Sequence, residues 1–151
     1  MKITKMKSIR IFLADDDEDD RSFFREGLSD SGIAAEFTGV EGGQQLIDLL
    51  SSLPPDAYPD VIFLDINMPG MDGRVCLREI RKQAVFSATP VIMLSTSTNP
   101  RDIEETYKAG ANKYISKTAF FGDSAKWMIR LLSSGWEQAL TRPSREKFSF
   151  I

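Results

Sequence analysis

The stretch Pro59-Asp60-Val61-Ile62-Phe63-Leu64-Asp65-Ile66-Asn67-Met68-Pro69-Gly70-Met71-Asp72-Gly73 decides the fold. Val61 to Leu64 is an apolar run without polar alternation, which reads as a parallel strand buried on both faces. It stops at a carboxylate, and a Pro-Gly turn and the start of a helical pattern follow. Asp65 is therefore expected at the carboxyl end of a core strand. In an open α/β sheet that edge is where ligands bind, so an acid placed there is a candidate reagent.

The same grammar repeats on either side. Ser8 to Ala14 reads as a first strand ending at Asp15, and Asp20 to Ser31 as a helix stopped by Gly32. Ala35 to Val40 reads as a second strand. After Gly42-Gly43, residues Leu46, Ile47, Leu50 and Leu53 mark one helical face. From Gly73 to about Gln83 a further amphipathic helix is expected, with Asp72 as its amino-terminal cap. Val91 to Leu94 is another unbroken apolar strand, ending at Ser95. A helix over Pro100 to Ala109, a strand over Lys113 to Ser116 ending at Lys117, and a final helix over Phe121 to Ser134 complete the pattern. Five alternations of strand and helix predict an α/β, three-layer doubly wound fold, a parallel sheet with right-handed crossovers.

Composition narrows the chemistry. The 151 residues suit one domain, and a net charge of -3 offers no footprint for nucleic acid. No run reaches membrane-spanning length, and the apolar segment after Lys2, Lys5, Lys7 and Arg10 is too short for a signal peptide. Cys76 is the only cysteine and sits on an apolar helical face, so a buried structural thiol in a cytoplasmic protein is expected. The chain has no histidine. That removes Ser-His-Asp and Cys-His catalysis, histidine-bound zinc and any phosphohistidine carried by this chain.

Parallel strands deliver their carboxyl ends to one rim, so Asp15, Asp16, Asp65, Ser95 and Lys117 are expected to converge. Clustered carboxylates repel unless a hard divalent cation sits among them, and Mg2+ suits a few carboxylates plus phosphate oxygens. A hydroxyl and an ammonium opposite them suit a transferring phosphoryl group.

These landmarks, the acidic pair, Leu-Asp-x-Asn-Met-Pro-Gly-Met-Asp-Gly, the hydroxyl and the lysine, resemble a receiver domain of a two-component response regulator. The likeness is to the single-domain, chemotaxis-regulator-like kind and covers roughly residues 8 to 134. It implies a (βα)5 receiver fold with five strands in the order 2-1-3-4-5, residues 1–134 forming the receiver and 135–151 a carboxyl-terminal extension. It implies that Asp65 is the phosphoacceptor, taking a phosphoryl group from a histidine kinase or histidine phosphotransfer protein, and that the protein turns over no other substrate. By the same likeness Asp15, Asp16, Asp65 and the Asn67 backbone carbonyl hold Mg2+, Ser95 and Tyr114 form the switch, Lys117 reads the phosphoryl group, and Asn67 and Ser97 tune its lifetime. The output is a conformational change read by a downstream protein target, or onward transfer along a phosphorelay.

The sequence departs from the common pattern at two places. Thr118 follows Lys117 where the family usually has a cis proline, so a trans peptide is expected. Thr96 is bulkier than the usual residue beside the phosphoryl site. Other readings exist. Asp15, Asp17, Asp19 and Glu26 fit EF-hand calcium positions, but Asp20 stands where the loop needs glycine. Asp15-x-Asp17 after a strand also resembles a haloacid-dehalogenase-like phosphatase. A receiver fold used as a binding module without phosphorylation is the third alternative. In the tail, Trp136 and Leu140 suggest a helical turn broken by Pro143, and Phe148-Ser149-Phe150 an edge strand, either folded back on the domain or serving as an arm for a homodimer or another partner.

Overall fold

A computed structural model describes residues 8–133, 135–141 and 143–151. Its elements are β1 (Ile9–Ala14), α1 (Glu18–Ser31), β2 (Ala35–Val40), α2 (Gly43–Ser52), β3 (Val61–Leu64), α3 (Gly73–Lys82), β4 (Val91–Ser95), α4 (Pro100–Lys108) and β5 (Lys113–Ser116). There follow α5 (Lys117–Gly122), α6 (Ser124–Leu132), α7 (Trp136–Ala139), α8 (Arg145–Phe148) and β6 (Ser149–Phe150). All strand pairs are parallel, in the order β2-β1-β3-β4-β5-β6. The expected order 2-1-3-4-5 is present, and the tail adds a sixth strand at its edge.

Two cores explain why the central strands lack polar alternation. Phe12, Ala14, Ile62, Leu64 and Met93 face one side, covered by Leu46 and Leu50 of α2, Cys76, Leu77 and Ile80 of α3, and Ile103 of α4. Ile11, Leu13, Val61, Phe63, Ile92 and Leu94 face the other, under Phe24 and Leu28 of α1, Phe120 of α5 and Met128 and Leu131 of α6. Each strand side chain thus meets a helix whichever way it points. Phe24 is the hub of the second core, with ring centroids 4.8 Å from Phe63, 5.4 Å from Phe37 and 5.6 Å from Phe120. Truncating such a buried ring costs about 3–5 kcal/mol. Burial pushes the Cys76 thiol up to about 12, so it is inert at neutral pH.

Local chemistry sets the helix ends. Asp17 caps α1 by accepting from the Asp19 and Asp20 amides, and Gly32 ends it with φ 73°. Asp72 caps α3 through the Arg74 and Val75 amides, as its sequence position predicts. The acidic run is therefore not a calcium loop. Glu26 lies within a regular helix, and Asp17 is occupied at the helix start.

In place of the single final helix expected over residues 121–134 there are two, α5 and α6, and Ser134 lies outside the described residues. Ser116 accepts from the Ala119 amide and starts α5 at Lys117. The chain then breaks at Asp123, φ -159° and ψ 73°, whose carboxylate accepts from the Lys126 amide to start α6. A new cap is thus set only seven residues after the first. No cis peptide occurs among the described residues, so Lys117–Thr118 is trans.

The tail straddles the sheet edge. Leu140 enters one core and Phe148 the other, and both are fully buried. Asn112 donates to the Leu140 carbonyl at 2.7 Å, Tyr107 to that of Pro143 at 3.4 Å, and Arg145 pairs with Glu104 at 2.6 Å. β6 then aligns Ser149 with Tyr114 and Phe150 with Ile115.

Candidate phosphoryl-acceptor site

Strand register builds the site. Ala14 pairs with Leu64, so the next residues, Asp15 and Asp65, emerge side by side, and the Asp65 amide donates to the Ala14 carbonyl at 3.0 Å. Ser95 pairs with Ser116, which brings the hydroxyl beside the residue preceding Lys117. One carboxylate oxygen from each of Asp15, Asp16 and Asp65 lies within 4.8 Å of the others. Asp15 and Asp65 are buried, while Asp16 is exposed at the mouth.

Lys117 is the positive centre. It is only 7% exposed, and its Nζ lies 2.8 Å from Asp15 Oδ2, 2.9 Å from Asp65 Oδ2 and 2.6 Å from Asp20 Oδ2. Burial alone would lower its pKa, but the three carboxylates outweigh burial and raise it, so the ammonium stays charged. Asp65 Oδ1 accepts from the Ile66 amide at 2.7 Å. Asp15 Oδ1 accepts from the Asp17 amide at 3.0 Å, whereas the buried Oδ2 has the Lys117 ion pair but no aligned hydrogen bond. Burial, more than Lys117 and the Asp17 amide offset, pushes the Asp15 carboxyl up to about 6. A buried carboxylate oxygen with no aligned hydrogen bond, beside two further carboxylates, fits a hard divalent cation.

Asp20 went unread in the sequence. It looked like one more exposed acid at the start of a helix, and its partner is 97 residues away. Its only local signal is its place in the first turn, near the strand end that carries Asp15 and Asp16.

The remaining predicted groups lie around this centre. Ser95 is fully buried, and its Oγ accepts from the Ser97 amide at 3.2 Å. The Tyr114 ring is fully buried and points inward, donating from its hydroxyl to the Ser97 carbonyl at 2.7 Å. Burial raises its pKa despite that bond. Ser97 Oγ donates to Asp102 at 2.6 Å, and Asp102 pairs with Arg74 at 3.2 Å, tying the loop after β4 to α3 and α4. Asn67 is exposed between buried Ile66 and Met68. Gly73 allows α3 to start directly beneath the acceptor, because a Cβ there would lie 2.0 Å from the Asp65 carbonyl oxygen.

A parallel sheet of this order, with carboxylates, a hydroxyl and a lysine gathered at one rim, defines a receiver, the phosphoryl-accepting module of two-component signalling. The chain belongs to that family: residues 11–143 match the response regulator receiver domain. It is 30% identical over 137 residues to response regulator Rcp1 of Synechocystis sp., spanning 89% of this chain and 92% of that protein. The crystal structure of the phosphorylated cyanobacterial phytochrome response regulator RcpA is similar with a TM-score of 0.75 at 32% identity, covering 91% of this chain and 100% of that one. The Mn2+-bound form of Rcp1 gives 0.73 at 29% identity, covering 90% and 99%. Receivers bind a divalent metal at an acidic cluster, and this chain has that cluster. They work with histidine kinases or phosphotransfer partners. The phosphatase-like alternative finds no support among these relatives. Among the described residues no helix is long and apolar enough to cross a membrane.

Proposed function

We propose that Asp65 accepts a phosphoryl group from a partner's phosphohistidine, in the cytoplasm, with Mg2+ held by Asp15, Asp16, Asp65 and the Asn67 backbone carbonyl. The observation that carries this reading is the buried Lys117 ammonium 2.9 Å from Asp65 Oδ2 on a rim that also bears Asp15 and Ser95. An Asp65 carboxylate oxygen attacks phosphorus, a P–O bond forms, the P–N bond to the partner's imidazole breaks, and the imidazole keeps the electron pair. The cation supplies charge neutralisation for the phosphoryl oxygens. Lys117 donates to one of those oxygens and Ser95 Oγ to another, which stabilises the charge as it spreads over them.

Tyr114 and Ser95 then form the switch. Ser95 turns toward the new phosphoryl group, the Ser97 loop follows, and the inward Tyr114 state becomes the favoured one of two. Asn67 and Ser97 set how readily water reaches the acyl phosphate.

Incubation of the protein with Mg2+ and phosphoramidate, a donor that needs no kinase, tests the reading by intact mass. One phosphoryl group is expected, labile to hydroxylamine as an acyl phosphate is. No mass gain overturns it. Phosphotransfer profiling against histidine kinases then names the donor.

The Asp15 carboxyl makes metal affinity depend on pH. A ligand must be ionised to bind, and a folded pKa of about 6 leaves Asp15 mostly ionised at pH 7 and mostly protonated at pH 5. Calorimetric titration is expected to show Mg2+ binding roughly tenfold weaker at pH 5 than at pH 7. In metal-free buffer the sign for the fold follows from the same raised pKa: stability due to this group falls as pH rises from about 4 toward 6.

A further inference from the structure

Lys117 has three ammonium protons and three carboxylates within 2.9 Å. Two of those partners, Asp15 and Asp65, belong to the acidic cluster with Asp16, and Asp20 does not. A cation among the three clustered acids draws on the Asp15 oxygens and repels the ammonium beside them. Lys117 then keeps one partner outside the cluster, and that partner makes its shortest contact, 2.6 Å.

The backbone around Lys117 explains why such a partner is needed. Lys117 is the first residue of α5, not part of a loop fixed by a following proline, because Thr118 comes next on a trans peptide. Nothing in the main chain after it aims the side chain. Asp20, by contrast, is rigidly placed. It sits in the first turn of α1, its amide donates to the Asp17 cap at 3.1 Å, and the Asp17 amide in turn donates to Asp15. α5 is docked on α1 by Phe24 stacked on Phe120 at 5.6 Å and Phe23 edge-on to Phe121 at 6.2 Å. The aromatic contacts fix the distance between the two helix starts, and the ion pair closes it.

We infer that Asp20 is a positioning residue: it holds Lys117 aimed at Asp65 when a divalent cation occupies the acids beside it. The inference rests on the acceptor role proposed for Asp65, and its effect reaches the phosphoryl group only through Lys117.

Two measurements test it. The first is the rate of phosphorylation by phosphoramidate at saturating Mg2+ in a cycle of Asp20→Asn, Lys117→Met and the double variant. Asp20→Asn is expected to slow the reaction about tenfold, the scale of one charge-assisted hydrogen bond. It is expected to add nothing once Lys117 is gone. The second is the 15N signal of the Lys117 ammonium in the Mg2+-loaded protein. It is expected to be protected from solvent exchange in the wild type, lost in Asp20→Asn and retained in Asp20→Glu. Equal slowing in both backgrounds, no slowing, or a protected ammonium that survives Asp20→Asn overturns the inference. If the wild type gains no phosphoryl group, the acceptor reading fails by itself, and the ammonium signal still decides the role of Asp20.

Discussion

Asp65→Asn is expected to abolish the mass gain from phosphoramidate while the protein stays folded. The amide oxygen of asparagine keeps the hydrogen bond that Asp65 Oδ1 accepts from the Ile66 amide, so the turn after β3 has no reason to move. The amide is nevertheless a poor nucleophile and cannot form a mixed anhydride, so the rate falls to background. The fold gains from the change on one account. Three carboxylates face a single ammonium here, with Asp16 beside them, and removing Asp65 relieves repulsion on the buried Asp15, to whose raised pKa the Asp65 charge contributes. The melting temperature is therefore expected to be unchanged or higher in metal-free buffer, and Mg2+ is expected to raise it less than in the wild type. A phosphoryl group retained on Asp65→Asn would move the acceptor to another side chain, and peptide mapping of the hydroxylamine-trapped site would show which.

Lys117→Met acts in the opposite direction on the fold. The methionine keeps much of the apolar stem but leaves Asp15, Asp20 and Asp65 without their cation. Removing one partner of a buried ion pair costs about 3–5 kcal/mol, because the charges left behind remain desolvated. Part of that is recovered as Asp15, already pushed up to about 6, takes a proton. In a chain of this size a loss near 3 kcal/mol lowers the melting temperature by roughly 10 °C. Mg2+ is expected to restore part of the loss, since it neutralises the same acids. Phosphorylation is expected to fall by about 10²–10³-fold, as when one donor to a developing negative charge is removed. Urea denaturation with and without Mg2+, alongside the phosphorylation rate, checks both effects. A variant as stable as the wild type without metal would show that the three short contacts carry no net stabilisation.

The strands that form the rim were legible because burial on both faces writes itself into a sequence as an unbroken apolar run. Val61 to Leu64 and Val91 to Leu94 have helices above and below, and each run ends at a polar side chain of the rim, Asp65 and Ser95. The convergence of Asp15, Asp65, Ser95 and Lys117 followed from parallel strands alone. Other features were hidden for stated reasons. The ion pair of Asp20 with Lys117 joins residues 97 apart, and no periodicity relates them. The break at Asp123 interrupts an amphipathic pattern that continues across it, so spacing favoured one helix. Its signal was chemical: Gly122 before an Asp whose carboxylate caps the next turn. The alternation of Phe148, Ser149 and Phe150 predicted a strand. It could not say which edge the strand joins or in which direction, because that depends on tertiary contacts such as those of Leu140 with Asn112 and of Arg145 with Glu104.

That short sixth strand also bears on how the protein behaves in a crowded solution. Without it, the outer edge of β5 would offer a row of unpaired amides and carbonyls beside buried Tyr114 and Ile115, a template for a neighbouring chain. With it, the edge left open on that side is two residues long. At the far side β2 presents exposed Glu36 and Thr38, with Glu36 paired to Arg10. Both margins of the sheet are thus blunted, one by brevity and one by charge, which disfavours edge-to-edge pairing between copies.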